Sequence, residues 1–242
     1  MTEGNTMKRF DLQRITTGSS QFDHLLGGGL PCATITDVYG PAGTGKTQFA
    51  FQNAITTCEN MLNSTEGETS PCVVFVDCSG SFRPERIAEM LAARGCNANR
   101  ILNRISTVSV RSVSDQRKAS YRVEREPSFS KCRLLIVDDV TVNFTGDYAK
   151  DEEVAARQLD LSVYIRHLSY LCNQRGMSVL LTNSVRSRGE EGEGETTGSI
   201  LSAFSLYRLR FTRKDRTRFA TLEQPEKMRN VVEFVIDESG LH

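Results

Sequence analysis

The chain has 242 residues, with 30 basic and 30 acidic side chains, and its 38% hydrophobic and 25% charged content is that of a globular protein. That balance excludes a wholly disordered chain, a collagen-like chain and a disulfide scaffold, and bulk charge makes no argument for nucleic acid. No apolar run approaches the ~18 residues of a membrane span, and the N-terminal MTEGNTMKRFDLQR lacks the apolar core of a signal peptide, so an intracellular protein is expected. The seven cysteines form no CxxC pair, and Cys72, Cys78 and Cys132 sit in or beside apolar runs, as buried thiols of a reducing compartment do. His24, His167 and His242 are too scattered for a metal site.

Strands and helices alternate along the chain. Ala33 to Tyr39 reads as a buried strand, followed by a glycine-rich loop and a helix from Lys46 to about Cys58. Val73 to Asp77 is a short apolar strand, and Pro84 suits the first turn of a helix running to Arg94. Ile105 to Val110 and Leu134 to Asp138 are further strands. From Val154 to Arg175, Leu161, Tyr164, Ile165, Leu168 and Leu171 recur at helical spacing, with Gly176 as the stop. Met177 to Thr182 is again a strand. Such alternation predicts an α/β fold, a mostly parallel sheet with helices on both faces. The last third differs: Phe204 to Arg213 and Arg216 to Leu222 read as antiparallel strands turning at Lys214-Asp215, and Val231 to Ile236 as a last strand. A C-terminal antiparallel extension on the parallel core is expected.

Gly40-Pro41-Ala42-Gly43-Thr44-Gly45-Lys46-Thr47 fits G-x-x-x-x-G-K-[ST] between a predicted strand and a predicted helix, the context a phosphate-binding loop requires. Its glycines let backbone N–H groups curl around a phosphate, and the helix N-terminus adds partial positive charge. Lys46 reaches the β- and γ-phosphates of ATP, and the Thr47 hydroxyl can ligate Mg²⁺. Asp138, at the end of the apolar run Leu134 to Val137, is the candidate second metal ligand; the alternative is a helix N-cap at Asp138 or Asp139.

Several segments together resemble the core domain of the RadA/RecA-type recombinases. They are Ile15-Thr16-Thr17-Gly18-Ser19 with Phe22 to Gly29, the phosphate loop, Phe82-Arg83-Pro84-Glu85-Arg86, the Leu134 to Asp138 strand and Thr182-Asn183. The Phe82 to Arg86 segment separates this family from the circadian-clock ATPases that share the loop and the triple glycine. With residues 1–14 as a short extension and 15–242 as one RecA-like core, the chain is similar to the archaeal RadB branch, which lacks the N-terminal helix-hairpin domain. The eukaryotic paralogues are the neighbouring alternative. The resemblance implies that Arg86 stacks on adenine. Glu223-Gln224-Pro225 looks like the segment that caps ATP from a neighbouring subunit, or is a plain loop.

Departures from the family pattern are as informative. Ser79 stands where the family has the glutamate that activates the attacking water, and a serine hydroxyl cannot hold that proton at neutral pH. Ser184 replaces the glutamine that senses the γ-phosphate. Asp139, directly after Asp138, is the candidate substitute base, although its reach is shorter than that of Glu. Acids outnumber bases in both segments that hold DNA in recombinases, Thr145 to Arg157 and Arg186 to Ser199, the latter with Glu190, Glu191, Glu193 and Glu195. Asp151 stands where the family has a phosphate-contacting arginine. Both segments are expected to be mobile and to repel phosphates.

Basic charge collects instead in Arg208, Arg210, Arg213, Lys214, Arg216 and Arg218, against Asp215 alone. This hairpin is either a solvated edge protected by charge or a DNA-contacting ridge. A weaker cluster holds Arg111, Arg117, Lys118, Arg122 and Arg125. Phe51-Gln52-Asn53-Ala54 matches a short assembly pattern, but its place inside the loop's helix predicts core packing. The sequence thus predicts a protein of recombination and repair that uses ATP and Mg²⁺, accessory or regulatory, with weak ATPase activity. Its partners are expected to be DNA, single-stranded and bound without regard to sequence, and a full-length recombinase or other repair protein; an oligomer is allowed. A cytoplasmic location is expected, at the nucleoid if archaeal, nuclear if eukaryotic. The rival readings are an active strand-exchange recombinase and a nucleotide-gated scaffold without DNA contact.

Overall fold

The computed structural model describes residues 12–64, 70–185 and 198–242. A two-residue ladder, β1 (Arg14–Ile15) with β2 (Leu30–Pro31), brackets α1 (Ser20–Leu26). There follow β3 (Ile35–Gly40), α2 (Lys46–Ser64), β4 (Val73–Asp77), α3 (Pro84–Ala93), α4 (Ala98–Leu102), β5 (Ile105–Ser109) and α5 (Val113–Arg125). Then come β6 (Leu134–Asp138), α6 (Val142–Asp147), α7 (Val154–Arg175), β7 (Ser178–Ser184), α8 (Gly198–Phe204), β8 (Ser205–Lys214) and β9 (Thr217–Gln224). The chain closes with β10 (Asn230–Phe234), β11 (Ile236–Asp237) and β12 (Gly240–Leu241).

One eight-stranded sheet runs in the order β10-β9-β8-β3-β7-β6-β4-β5. β8, β3, β7, β6, β4 and β5 pair in parallel, while β9 and β10 add antiparallel strands at one edge. The expected α/β fold with its C-terminal antiparallel extension is therefore the observed one. Strands buried on both faces need apolar residues throughout, and β6 shows it. Leu134 and Ile136 face the helices α1 to α4, while Leu135 and Val137 face α5 to α8.

On the first face Phe22, Phe49, Phe211 and Phe234 pack with ring centroids 4.8 to 5.8 Å apart. Each such pair adds about 0.5–1.5 kcal/mol beyond its buried area. The cluster ties α1 and α2 to β8 and β10, so the C-terminal strands are held against the start of α2. Phe51 and Ala54 are buried beside it, in the core.

Several boundaries differ from the sequence reading. α2 continues past Cys58 to Ser64, and the last strand breaks after Phe234, with Ile236 opening a small hairpin onto Gly240 and Leu241. The segment Thr145 to Arg157 is only in part the loop the sequence suggests, since it takes in the end of α6, a 3₁₀ turn at Asp151–Glu153 and the start of α7. It joins α6 to α7: Asp147 accepts from Val113 N at 2.8 Å, and the Tyr148 hydroxyl donates to Asp160. The second acidic segment lies, through residue 197, outside the described residues. All seven cysteines are free, and only Cys96 is exposed. Among the described residues no helix is long and apolar enough to cross a membrane, and no group of three or more His, Cys, Asp or Glu could hold a metal ion.

Candidate nucleotide site

In an open α/β sheet, ligands bind beyond the C-terminal ends of the strands. Here β3 ends at Gly40, and the loop to α2 turns on glycines that no other residue could replace. At Gly40 (φ 149°) a Cβ would lie 2.0 Å from the Phe211 carbonyl oxygen, and at Gly45 (φ 107°) 2.7 Å from Ile236 Cδ1. The loop is therefore packed from behind by β8 and the C-terminal hairpin. It opens on a cleft of about 710 Å³ whose walls include Gly43, Lys46, Thr47, Ser79, Asp138 and Arg218.

Lys46 is 7% exposed, and its ammonium donates to the carbonyls of Gly40 and Pro41 at 2.8 and 2.9 Å. Two of its three donors hold the loop curled; the residue also lines the cleft. Burial pushes the Lys46 pKa below its usual value, against the pull of Asp139 and Asp138. Asp138 emerges from β6 beside it. Thr47 Oγ1 lies 3.0 and 3.2 Å from its two carboxylate oxygens, Ser81 Oγ donates at 2.6 Å, and the Thr182 hydroxyl donates as well. Burial raises the Asp138 pKa, and these three hydroxyls oppose the rise. A carboxylate and a hydroxyl side by side at a phosphate loop are the hard oxygen donors that Mg²⁺ prefers. The Thr47 and Asp138 arrangement therefore fits that ion.

Asp139 also lines the cleft, but both its oxygens are engaged. One accepts from Thr141 N (3.0 Å) and Thr141 Oγ1 (2.9 Å), the other from Ser184 N (2.6 Å). It braces the turn after β6 against the end of β7, across the cis Asp138–Asp139 peptide. Ser79 and Ser184 are exposed on the wall of the cleft. Asp77, at the end of β4, accepts from the backbone N–H groups of Ser81 and Phe82 at 3.0 and 3.3 Å. It thereby shapes the turn that delivers Ser81 to Asp138.

The Rad51 family model matches residues 8–242. The chain belongs to the Rad51 family. It is 28% identical to a DNA repair and recombination protein RadA of Metallosphaera sedula, over 97% of this chain and 74% of that relative. Membership makes it a RadA/RecA-type recombination and repair ATPase, ATP- and DNA-binding.

Against the Rad51-type pattern, the phosphate loop, Lys46, Thr47, Asp138, Ser79 and Asp139 converge on one cleft. Arg86 does not line it. Its guanidinium donates to Gln48 Oε1 (2.8 Å), Glu89 and the carbonyls of Asp237 and Glu238, which leaves stacking to its planar face. Glu223 accepts from the Tyr39 hydroxyl, and Gln224 Nε2 donates to the carbonyls of Ser202 (3.1 Å) and Ser205 (2.6 Å); both lie within β9.

The basic hairpin is not one ridge. Arg208 is 9% exposed, its Nε donates to Asp37 at 3.0 Å, and its guanidinium lies 4.4 Å from the Tyr39 ring centroid. It is an internal strut, and its place in a DNA-contacting ridge is corrected: Arg208 pairs directly with Asp37 across β8 and β3 and turns its side chain onto the face that carries Asp37 and Tyr39. Arg210 lies 4.0 Å from Glu223, whereas Arg213, Lys214 and Arg216 are exposed near the tip. Arg218 sits at the phosphate loop. The weaker basic cluster lies on and just before α5 and is largely paired: Arg117 with Asp160 (2.6 Å), Lys118 with Asp115 (3.3 Å), Arg122 with Glu126 (2.7 Å), and Arg125 against the Tyr121 ring.

The sequence reading missed Ser81 and the placement of Arg218. Ser81 carries no motif signal, because its role depends on the turn that Asp77 caps. Arg218 could have been found by strand parity, since it continues the apolar face of Leu222 and Ala220.

Proposed function

We propose that residues 15–242 act as one ATP-binding core of homologous recombination whose role is accessory or regulatory, with ATP held firmly and turned over slowly. The observation that carries this reading is Ser79 on the wall of the cleft, where the family's water-activating glutamate is expected. Losing a general base typically removes about two to four orders of magnitude in rate. Asp139 offers no ready replacement, because backbone N–H groups occupy both its oxygens. In this reading Lys46 and the loop amides hold the phosphates, and Thr47 with Asp138 holds Mg²⁺, which neutralises phosphate charge. Arg86 offers the planar face of its guanidinium to adenine. ATP then works as a ligand that stabilises one conformation.

DNA contact in this reading is sequence-independent and electrostatic, through Arg210, Lys214 and Arg216 at the hairpin. A full-length recombinase is the natural protein partner. The test is titration calorimetry with Mg-ATP beside a steady-state turnover assay. Measurable binding with turnover far below that of a full recombinase supports the reading; no ATP binding, or recombinase-like turnover, refutes it.

A further inference from the structure

Alternation along β8 and β9 sends their arginines to opposite faces of the sheet. Leu209 and Phe211 of β8, with Ala220 and Leu222 of β9, are buried on the face that packs on α2. One step further toward the hairpin tip, the same face carries Arg213 and Arg218, directly paired across the two strands. The strand ends overlie the phosphate loop. A Cβ on Gly45 would sit 3.6 Å from Arg218 Cδ, and one on Gly43 would sit 4.0 Å from an Arg213 guanidinium nitrogen. Arg218 lines the same cleft as Lys46, Thr47 and Asp138.

Like charges directly opposite one another destabilise a sheet, so this pair needs an explanation. Its hydrogen bonds go to backbone carbonyls of the turn: Arg213 Nε to Asp215 at 2.7 Å and Arg218 to Arg216 at 3.4 Å. Among the described residues neither arginine meets a carboxylate. Arg218 Nε is buried without a hydrogen-bond partner. Burial and the neighbouring Arg213 both disfavour the Arg218 charge. Two facing guanidinium groups without a counter-charge, one with a buried unmet donor, form a site for an anion. Guanidinium matches phosphate oxygens with paired N–H donors.

We propose that Arg218, supported by Arg213, is a nucleotide-binding residue that contacts the polyphosphate held by the phosphate loop of its own chain. This rests on the proposed ATP binding and adds to it a cation supplied by the β8–β9 hairpin. The position on the loop side of the strands assigns the pair to the nucleotide rather than to DNA, which is left with the outward-facing Arg210 and the exposed tip.

The experiment is calorimetry with Mg-ATP on wild type, Arg218→Gln, Arg218→Lys and Arg213→Gln, each checked for folding by circular dichroism, with DNA binding measured across salt. Arg218→Gln is expected to weaken ATP binding about tenfold, which is ~1.4 kcal/mol. Arg218→Lys, which keeps the charge, should recover part of that loss. Arg213→Gln alters an exposed residue, retains the fold, and should weaken ATP about threefold. The salt slope for DNA should not change in any of the three. ATP affinity within twofold of wild type in both Gln variants overturns the proposal, as does an Arg218→Lys variant no better than Arg218→Gln. A DNA salt slope flattened by ~0.7 with ATP affinity intact assigns Arg218 to DNA and also overturns it. Failure of wild type to bind ATP refutes the function proposed above, a result distinct from equal binding by wild type and variants.

Discussion

Arg208 separates an internal strut from a surface ridge, and its removal has a calculable consequence. Asp37 is fully buried on β3, 171 residues away in sequence, and Arg208 Nε donates to it at 3.0 Å while the guanidinium lies over the Tyr39 ring. Arg208→Met keeps the bulk but leaves the Asp37 carboxylate buried opposite an apolar chain. Breaking a buried pair in this way costs about 3–5 kcal/mol. For a domain of this size each kcal/mol moves the Tm by roughly 2–4 °C. A fall of about 6–20 °C in a calorimetric melt is therefore expected. Replacing both partners, as Asp37→Leu with Arg208→Met, should recover most of that loss, because a buried pair exchanged for apolar groups of similar volume is often near neutral. The double variant should also keep the wild-type salt slope for DNA. A single variant that melts within 2 °C of wild type (a loss of under about 1 kcal/mol), or a double variant that loses DNA affinity, would refute the strut.

Three further outcomes follow from the cleft and the hairpin. Lys46→Ala should weaken ATP binding at least tenfold, about 1.4 kcal/mol, in calorimetry on a variant whose circular dichroism is unchanged. Asp139→Asn should change ATP turnover less than tenfold, since the carboxylate serves as a brace; loss of all turnover would instead make it the base. Replacing Arg210, Lys214 and Arg216 together by Ala should flatten the salt dependence of single-stranded DNA binding by about 2 in log K against log salt. An unchanged slope in filter binding would make the hairpin tip a solvated edge.

How far the sequence reached depends on whether a residue's role is set by neighbours in the chain or by remote ones. β4, β6 and α7 have the bounds their patterns suggest, because four apolar residues closed by an aspartate, or an apolar stripe along 22 residues stopped by Gly176, is a local signal. The phosphate loop is legible for the same reason: its glycines, lysine and threonine are contiguous. α5 escaped because its buried face includes Gln116, Ala119 and Ser120 beside Val113 and Val123, a stripe too small and polar to read. α6 escaped because it is six residues long, contains Gly146, and buries only Asn143 and Phe144, too little for a helical period to show. The hairpin shows the limit most plainly. Its basic charge was visible, but its division into a strut, a phosphate-loop pair and a tip depends on Asp37, Glu223 and Gly45, all brought near by tertiary pairing.

The central claim, that this ATPase core holds ATP without a resident general base, is tested most directly by following pre-bound ATP. Wild type and Ser79→Glu are loaded with Mg-ATP labelled on the γ-phosphate, chased with unlabelled nucleotide and quenched over time. The account predicts that wild type retains the label as triphosphate while Ser79→Glu releases phosphate at least about tenfold faster, a lower bound on what one general base contributes. Rapid release by wild type, unchanged in Ser79→Glu and abolished in Asp139→Asn, would contradict it.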